Sequence, residues 1–190
     1  MIRAMGRLIY ALNVSLDGYV ESPTKTLDWA EVDEELHSWF NDEARGLAAS
    51  IYGRGMYELM AGYWPTGETD PDASPAMREY AGIWLATPKI VVSSSLKEVG
   101  WNGRLVHGDV GDVLAQVREE FDGDVDVGGP TLAASFIRRG LVDEYRLLVH
   151  PVVIGGGTPF FPALERPAGL RLVNTRTFRS GVVYLGYAPR

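Results

Sequence analysis

Four short turns carry the residues whose types and spacing could do chemistry. They are Ser15-Leu16-Asp17-Gly18, Gly53-Arg54-Gly55, Ser93-Ser94-Ser95 and the segment from Gly128 to Leu132. Glycines let a backbone approach a ligand closely, serine hydroxyls both donate and accept hydrogen bonds, and arginine can hold a phosphate through two donors. These residue types favour the binding of a phosphorylated ligand.

The turn that begins at Gly128 is the strongest of these signals. Gly128 and Gly129 follow an apolar run, and Pro130 or Thr131 then begins a helix. The free N–H groups and the dipole of a helix N-terminus suit a phosphate. A tight strand-to-helix turn without a ligand explains the same residues equally well. For the Arg54 turn and the three serines, taken alone, an exposed helix start and an ordinary strand end are the commoner interpretations.

Other polar clusters are weaker signals. The glycines after Ile154 lead into Pro159 and two phenylalanines, so no helix follows as a dinucleotide fingerprint requires. The acids between Asp28 and Glu35 suit a solvated helix start, and a functional carboxylate would be one that turns toward a cleft. His37, His107 and His150 show no metal-ligand spacing, and we interpret His37 and His150 as structural.

Composition limits the function classes. The chain has 190 residues, no cysteine and a net charge of -7. Thiolate chemistry and disulfides are excluded, and nucleic-acid binding is disfavoured because it needs a basic surface. No apolar run is long enough for a signal peptide or a membrane span, so we expect a cytoplasmic protein. The segment from Trp64 to Pro75 is too short to separate domains, and we predict that it is a surface loop in a single domain, residues 1–190.

Hydrophobic periodicity predicts strands that alternate with helices. The predicted strands are 7–14, 48–52, 89–92, 104–107, 125–127, 145–154, 170–178 and 182–187, and the predicted helices are 32–47, 56–60, 77–85, 110–121 and 131–139. This order indicates an α/β fold with three α/β/α layers, in which a mostly parallel sheet ends in a C-terminal antiparallel hairpin. Ligands bind beyond the carboxyl ends of such strands, so the four turns are expected to converge on one cleft.

In this order the turns resemble those of the dihydrofolate reductase-like superfamily. The nearer resemblance is to the group related to the C-terminal reductase domain of the bifunctional riboflavin-biosynthesis deaminase–reductase, and it covers nearly the whole chain. Its marks also include Gly140-Leu141-Val142-Asp143-Glu144-Tyr145 and Pro151-Val152-Val153-Ile154-Gly155. The resemblance implies a reductase that uses NADPH, acts on a small molecule and forms a homodimer.

The resemblance also implies roles for particular residues. Arg54 would contact the 2′-phosphate of the cofactor, and the glycine pair, often joined by a cis peptide in this superfamily, would contact the pyrophosphate. The full set of implied cofactor-binding residues lies on three turns: Gly53, Arg54, Ser93, Ser94, Gly128, Gly129, Pro130, Thr131 and Leu132. Substrate binding falls to Ser15, Trp29 and Glu34. Asp17 and Glu35 are the implied catalytic residues. No metal site is implied.

Several positions depart from the family pattern. Riboflavin-pathway reductases usually have basic residues at the positions of Ala11 and Tyr19 and a glutamate at that of Val127, so a riboflavin precursor is in doubt as the substrate. Met56 replaces a threonine that would contact phosphate. Three functions stay open: reduction of a pterin-like or pyrimidine-like heterocycle, a non-catalytic nucleotide-binding module, and a flavin-containing reductase.

Overall fold

Helices and strands alternate along the chain in the predicted order. The computed structural model describes residues 6–190. Residues 1–5, where a signal peptide would begin, lie outside the described residues. No helix within that range has the length and apolar character that a membrane crossing requires.

The strands are β1 (Leu8–Ser15), β2 (Tyr19–Glu21), β3 (Ala49–Gly53), β4 (Lys89–Val92), β5 (Gly103–Val106), β6 (Val125–Gly128), β7 (Glu144–His150), β8 (Thr158–Pro159), β9 (Leu170–Thr177) and β10 (Val183–Pro189). The helices are α1 (Glu34–Arg45), α2 (Arg54–Gly67), α3 (Pro75–Ala86), α4 (Val110–Glu120) and α5 (Pro130–Arg138).

Eight strands form one sheet in the order β5-β4-β3-β6-β1-β7-β10-β9. The six strands from β5 to β7 pair in parallel, whereas β10 pairs antiparallel with both β7 and β9. The predicted α/β fold with a C-terminal antiparallel hairpin is therefore confirmed. The remaining two strands, β2 and β8, form a separate small sheet.

Helices cover both faces of the large sheet and complete three layers. On one face, α4 and α5 pack residues such as Val113 and Phe136 against Leu8 and Tyr10 of β1. On the other face, Leu36 of α1 packs with Leu148 of β7. On that same face, α2 and α3 cover β3 and β4 through a cluster that contains Tyr52, Tyr57, Trp84 and Val91. Because six of the strands between these layers pair in parallel, their carboxyl ends lie at one common edge of the sheet.

The prediction of a surface loop from Trp64 to Pro75 is wrong for its first residues. Helix α2 continues through Pro65 to Gly67. A proline inside a helix removes one backbone hydrogen bond, but the ring of Trp64 packs 4.5 Å from that of Tyr80 on α3. Burial of these rings offsets the lost bond, so tertiary packing overrides the local signal.

The long strand that was predicted to reach Ile154 ends at His150 instead. Pro151 cannot donate to the neighbouring strand, and the chain beyond it leaves the sheet, where the carbonyl of Val152 accepts from the N–H of Leu16 at 2.8 Å. The pairing of β2 with β8 was not predicted, because strands of three and two residues carry no readable periodicity.

Candidate functional site

All four predicted turns lie along one edge of the sheet. The parallel strands β3, β4, β6 and β1 end at Gly53, Val92, Gly128 and Ser15, so their carboxyl ends share an edge. A further turn at His107 and Gly108 follows β5 on the same edge. Sequence reasoning did not include it, although the rule that selected the other turns applies to every strand end.

A cleft of about 400 Å³ lies at the β5 end of this edge. Its lining residues come from three turns and include Arg54, Ser93, Ser94, Ser95, His107 and Gly108. The Nε–H of Arg54 donates to Glu58 at 2.8 Å, and one terminal nitrogen donates to the Ser95 hydroxyl at 3.2 Å. Because the Arg54 side chain is 55% exposed, its remaining donors can reach an anion in the cleft.

The three serines have different roles in this cleft. The Ser93 hydroxyl accepts from the backbone N–H groups of Ser95 and Leu96 at 3.2 and 3.1 Å. It therefore holds the turn in shape, and its residue is nearly buried. Ser94 is exposed and lines the cleft, so its hydroxyl is free to face a ligand.

The glycine pair lies where the backbone is tightly packed. A Cβ atom on Gly128 would lie 2.6 Å from the ring of Tyr52 and 3.0 Å from Met56. Gly129 has φ +92°, a conformation that favours glycine. The described residues contain no cis peptide bond, so the expected cis peptide is absent and the positive φ of Gly129 makes the turn. Close packing at Gly128 and the backbone conformation at Gly129 therefore account for both glycines without a ligand.

Two helices begin at this edge without a side-chain cap. Gly53 precedes α2 and Gly129 precedes α5, whereas Asp33, Ser74 and Asp109 cap the other three helices. Uncapped N–H groups at a helix start are available to an anion.

The other residues expected at the α5 turn divide between packing and exposure. Pro130 is the first residue of α5, and Thr131 is exposed beside it. Leu132 packs against β3, because its Cβ lies 3.2 Å from the place where a Cβ of Gly53 would be. Leu132 thus contributes apolar packing to the site.

Asp17 joins two loops. Its carboxylate accepts from the N–H groups of Ile154 and Gly155 at 3.2 and 2.8 Å. A hydrogen bond with Ser15, supported by these N–H groups, lowers the pKa of Asp17, so the group is ionised at neutral pH. The buried Ser15 hydroxyl also accepts from the N–H of Tyr19 at 3.0 Å. These contacts hold the loops in place, and the catalytic role of Asp17 stays a prediction.

The two glutamates at the start of α1 do not meet the other predicted residues. The Glu35 carboxylate accepts from Arg176 at 2.9 Å and from the N–H of Arg179 at 3.2 Å, and these contacts lower its pKa. It therefore contacts the C-terminal hairpin, and its catalytic role, like the substrate-binding role of Glu34, stays a prediction. Glu34 is exposed in the first helical turn. Among so many neighbouring acids, spacing could not identify which one faces the cleft.

Three polar side chains meet at the carboxyl ends of β1 and β7. His150 is only 3% exposed, and its Nε2 lies 2.9 Å from Oδ1 of Asn13. The Trp29 ring stands edge-on to that imidazole, with centroids 5.7 Å apart. Burial lowers the pKa of His150, so the ring is neutral at neutral pH. Sequence reasoning included Trp29 but not Asn13, whose only signal is an amide within an apolar strand.

Asp126 is a half-buried acid on the strand that leads to the glycine pair. It lies on β6, two residues before Gly128, and pairs in register with Ser50 and Ile9. Its Oδ1 is buried and has no hydrogen-bond partner among residues 6–190. Burial raises the pKa of Asp126 to about 6 and outweighs the opposing effect of a hydrogen bond from Ser50.

Replacement of Asp126 with asparagine is expected to stabilise the protein at pH 8. Burial raises the folded-state pKa of Asp126 from the ordinary 3.8 to about 6. Protonated Asp126 therefore stabilises the folded state at a pH below 3.8, and this stabilisation is lost as the pH rises through about 6. The Asp126→Asn gain in unfolding free energy should therefore be larger at pH 8 than at pH 4, by on the order of 1–3 kcal/mol. Urea unfolding at both pH values measures it. Asp112→Asn, at an exposed position, is the control substitution, and equal gains at both pH values in Asp126→Asn would contradict the prediction.

Comparison with known proteins identifies the family. The sequence model of the RibD C-terminal domain matches residues 7–184. The chain belongs to this family. It is 34% identical over 182 residues to the uncharacterized protein YyaP of Bacillus subtilis (strain 168). The aligned region covers 95% of this chain and 94% of YyaP.

Solved structures share the fold of this RibD C-terminal domain protein. A putative riboflavin biosynthesis protein from Shewanella sp. PV-4 superposes with a TM-score of 0.75 at 21% identity, covering 98% of this chain and 99% of that one. Dihydrofolate reductase from Enterococcus faecalis, complexed with NADP(H), superposes with a TM-score of 0.65 at 16% identity, covering 98% of each chain. The family match confirms the predicted relation to the group of this C-terminal domain, and the superpositions show that the fold is dihydrofolate reductase-like.

Proposed function

We propose that this RibD C-terminal domain protein is an NADPH-dependent reductase that transfers hydride to a small heterocyclic substrate. The observation that carries the proposal is the cleft around Arg54 and Ser94, which lies on the same sheet edge as the uncapped start of α5. Because β4, β3 and β6 are neighbours in the sheet and adjacent strands lie about 5 Å apart, one extended dinucleotide can reach both features. The Enterococcus faecalis reductase with a similar fold is complexed with NADP(H), which supports this choice of cofactor.

The residues along the edge fit such a cofactor. We assign the 2′-phosphate to Arg54, the adenosine end to Ser93 and Ser94, and the pyrophosphate to the N–H groups after Gly129. The absence of side chains at Gly128 and Gly129 allows close approach of the backbone. Bound NADPH would supply the hydride, while the protein orients the reactants and excludes water.

The substrate is expected to lack a phosphoribosyl group. Ala11 stands where riboflavin-pathway reductases usually have a lysine, and Val127 is an apolar residue buried in the core cluster beneath α4 and α5. Neither can pair with a phosphate or a sugar hydroxyl. A pterin-like or pyrimidine-like ring without such a group fits these positions better.

Replacement of Arg54 with alanine is expected to weaken NADPH binding by about 10- to 100-fold, because a charge-assisted hydrogen bond contributes about 1.5–3 kcal/mol. NADH, which lacks the 2′-phosphate, should bind almost equally to both proteins. Calorimetric titration of the two nucleotides measures this. Arg104→Ala is the matched control, because Arg104 pairs with Glu120 on α4, outside the cleft. Equal losses for both nucleotides, or no binding of NADPH to the unaltered protein, would oppose the proposal.

A second candidate is a nucleotide-binding module without catalysis. Met56, in place of the threonine that the family pattern would put near phosphate, packs against Gly128 and Gly129. Nucleotide binding without NADPH oxidation across a broad panel of pterins and pyrimidines would favour this candidate. The flavin-containing alternative, the homodimer and the cytoplasmic location stay predictions.

A further inference from the structure

Part of the central sheet is open on the face that carries α1, α2 and α3. Strand β1 lies between β6 and β7, where side chains are normally covered, yet Ala11 and Asn13 are only half-buried. Helix α3 packs against both α1 and α2, and His37 of α1 stands against the ring of Tyr80 on α3. The open area therefore lies near the carboxyl ends of β1 and β6, beside the glycine pair.

Asn13 is held in one orientation on this open face. Its Oδ1 lies 2.9 Å from Nε2 of the nearly buried His150, so the neutral imidazole donates to the amide oxygen. This leaves the Nδ2 group of Asn13, which makes no hydrogen bond within the described part of the chain and is not buried. An amide fixed through its oxygen presents two N–H donors to the open face.

Trp29 packs beside this pair. Its ring stands edge-on to His150, so Trp29, His150 and Asn13 form one connected group. The Trp29 Nε1 atom is buried and has no partner among residues 6–190. Because that atom has no exposed surface, a ligand on the open face cannot reach it, and Trp29 contributes packing beside the His150 ring.

The neighbouring carboxylates do not compete for these donors. Asp17 is bound to the loop that follows β7, and Glu35 is bound to the C-terminal hairpin. Glu34 is exposed on α1, and Asp126 lies deeper on the same face, level with Ile9 of β1. Available donors without an adjacent acceptor suit a ligand with carbonyl oxygens and disfavour one that presents only N–H groups.

We propose that Asn13 binds the substrate through one of its carbonyl oxygens and that His150 is the positioning residue for Asn13. This inference rests on the proposed function, since it defines the substrate side of the same site. It makes the amide of residue 13 the determinant of the preference for a substrate that carries a carbonyl oxygen.

Lumazine, a planar pteridine with two ring carbonyl groups, is a suitable probe. Its fluorescence can be titrated with the full-length protein saturated with NADP⁺, and quinoxaline, a planar bicycle without carbonyl oxygens, is the control ligand. Lumazine should bind saturably and quinoxaline at least about tenfold more weakly, which corresponds to about 1.4 kcal/mol. Asn13→Asp, which keeps the shape but loses the N–H donors, should weaken lumazine binding by at least about tenfold.

Variants of His150 separate positioning from simple packing. His150→Gln keeps a donor for the Asn13 oxygen and should retain lumazine affinity within about threefold, whereas His150→Leu should lose at least about tenfold. If the role were packing alone, both variants would lose affinity in step with their melting temperatures. Unchanged lumazine binding in Asn13→Asp, equal binding of quinoxaline, or no lumazine binding would overturn the inference. NADPH titration of the same variants tests the proposed function separately, because these residues lie away from the Arg54 cleft.

Discussion

Replacement of Arg146 with methionine is expected to lower the free energy of unfolding by up to about 5 kcal/mol, because the nearly buried Glu144 carboxylate then keeps only the half-exposed Arg7 as a charged partner. The Arg146 side chain is 12% exposed, and its Nε lies 2.6 Å from Glu144, which is 9% exposed. Arg146 also pairs with Glu43 of α1, and Glu144 pairs with Arg7. The network joins α1 to the amino ends of the central strands.

Urea unfolding at neutral pH measures this loss. Arg104→Met is the matched control, because Arg104 and Glu120 are each about half exposed and such surface pairs contribute about 0–1 kcal/mol. Adding Glu144→Gln to Arg146→Met should recover part of the stability, since it removes a nearly buried carboxylate that has lost one of its two charged partners. Similar losses in Arg146→Met and Arg104→Met would show that the network contributes no more than a surface pair.

Gly128→Ala is expected to destabilise the protein by about 1–3 kcal/mol, as overpacking in a dense interior does, and to weaken NADPH binding. The new Cβ would meet the ring of Tyr52 at 2.6 Å. Because Tyr52 is itself buried, the backbone of the glycine turn must shift. That shift displaces the uncapped N–H groups of α5 and should weaken NADPH binding by more than about tenfold, or about 1.4 kcal/mol.

A matched glycine variant and a second substitution test the cause. Gly55 lies in α2 with nothing within 4 Å of an added Cβ, so Gly55→Ala should be neutral or stabilising by up to about 1 kcal/mol. Tyr52→Leu combined with Gly128→Ala should restore part of the nucleotide affinity by making room for the methyl group. Melting curves and calorimetric titrations report both effects. Full NADPH affinity in Gly128→Ala alone would refute this account of the turn.

The sequence allowed the main elements and the turns to be predicted, because both depend on short-range patterns. The alternation of strands and helices identified the sheet, and the glycines after β6 marked the strand-to-helix turn. Elements decided by tertiary packing were missed. Pro65 lies inside a helix because Trp64 packs on Tyr80, and the pairing of β2 with β8 joins very short segments that are distant in sequence.

The candidate site could be predicted only in part for the same reason. Arg54 and the serines each follow a strand directly, so their place at the sheet edge follows from the fold. The direction of Glu35 depends on Arg176 and Arg179 in a hairpin near the other end of the chain. The contact between Asn13 and His150 likewise requires β1 and β7 to be neighbours, which no local pattern reveals.

The pairing of β1 with β7 also affects how the protein forms during synthesis. β1 precedes every other strand of its sheet along the chain, yet one of its two neighbours in the sheet, β7, begins only at Glu144. Pairings between segments distant in sequence form slowly. A nascent chain that stops before Glu144 therefore lacks His150 and leaves one edge of β1 unpaired, so ligands on the Asn13 side cannot assist the early stages of folding. Chaperones that shield exposed strand edges would act in this interval.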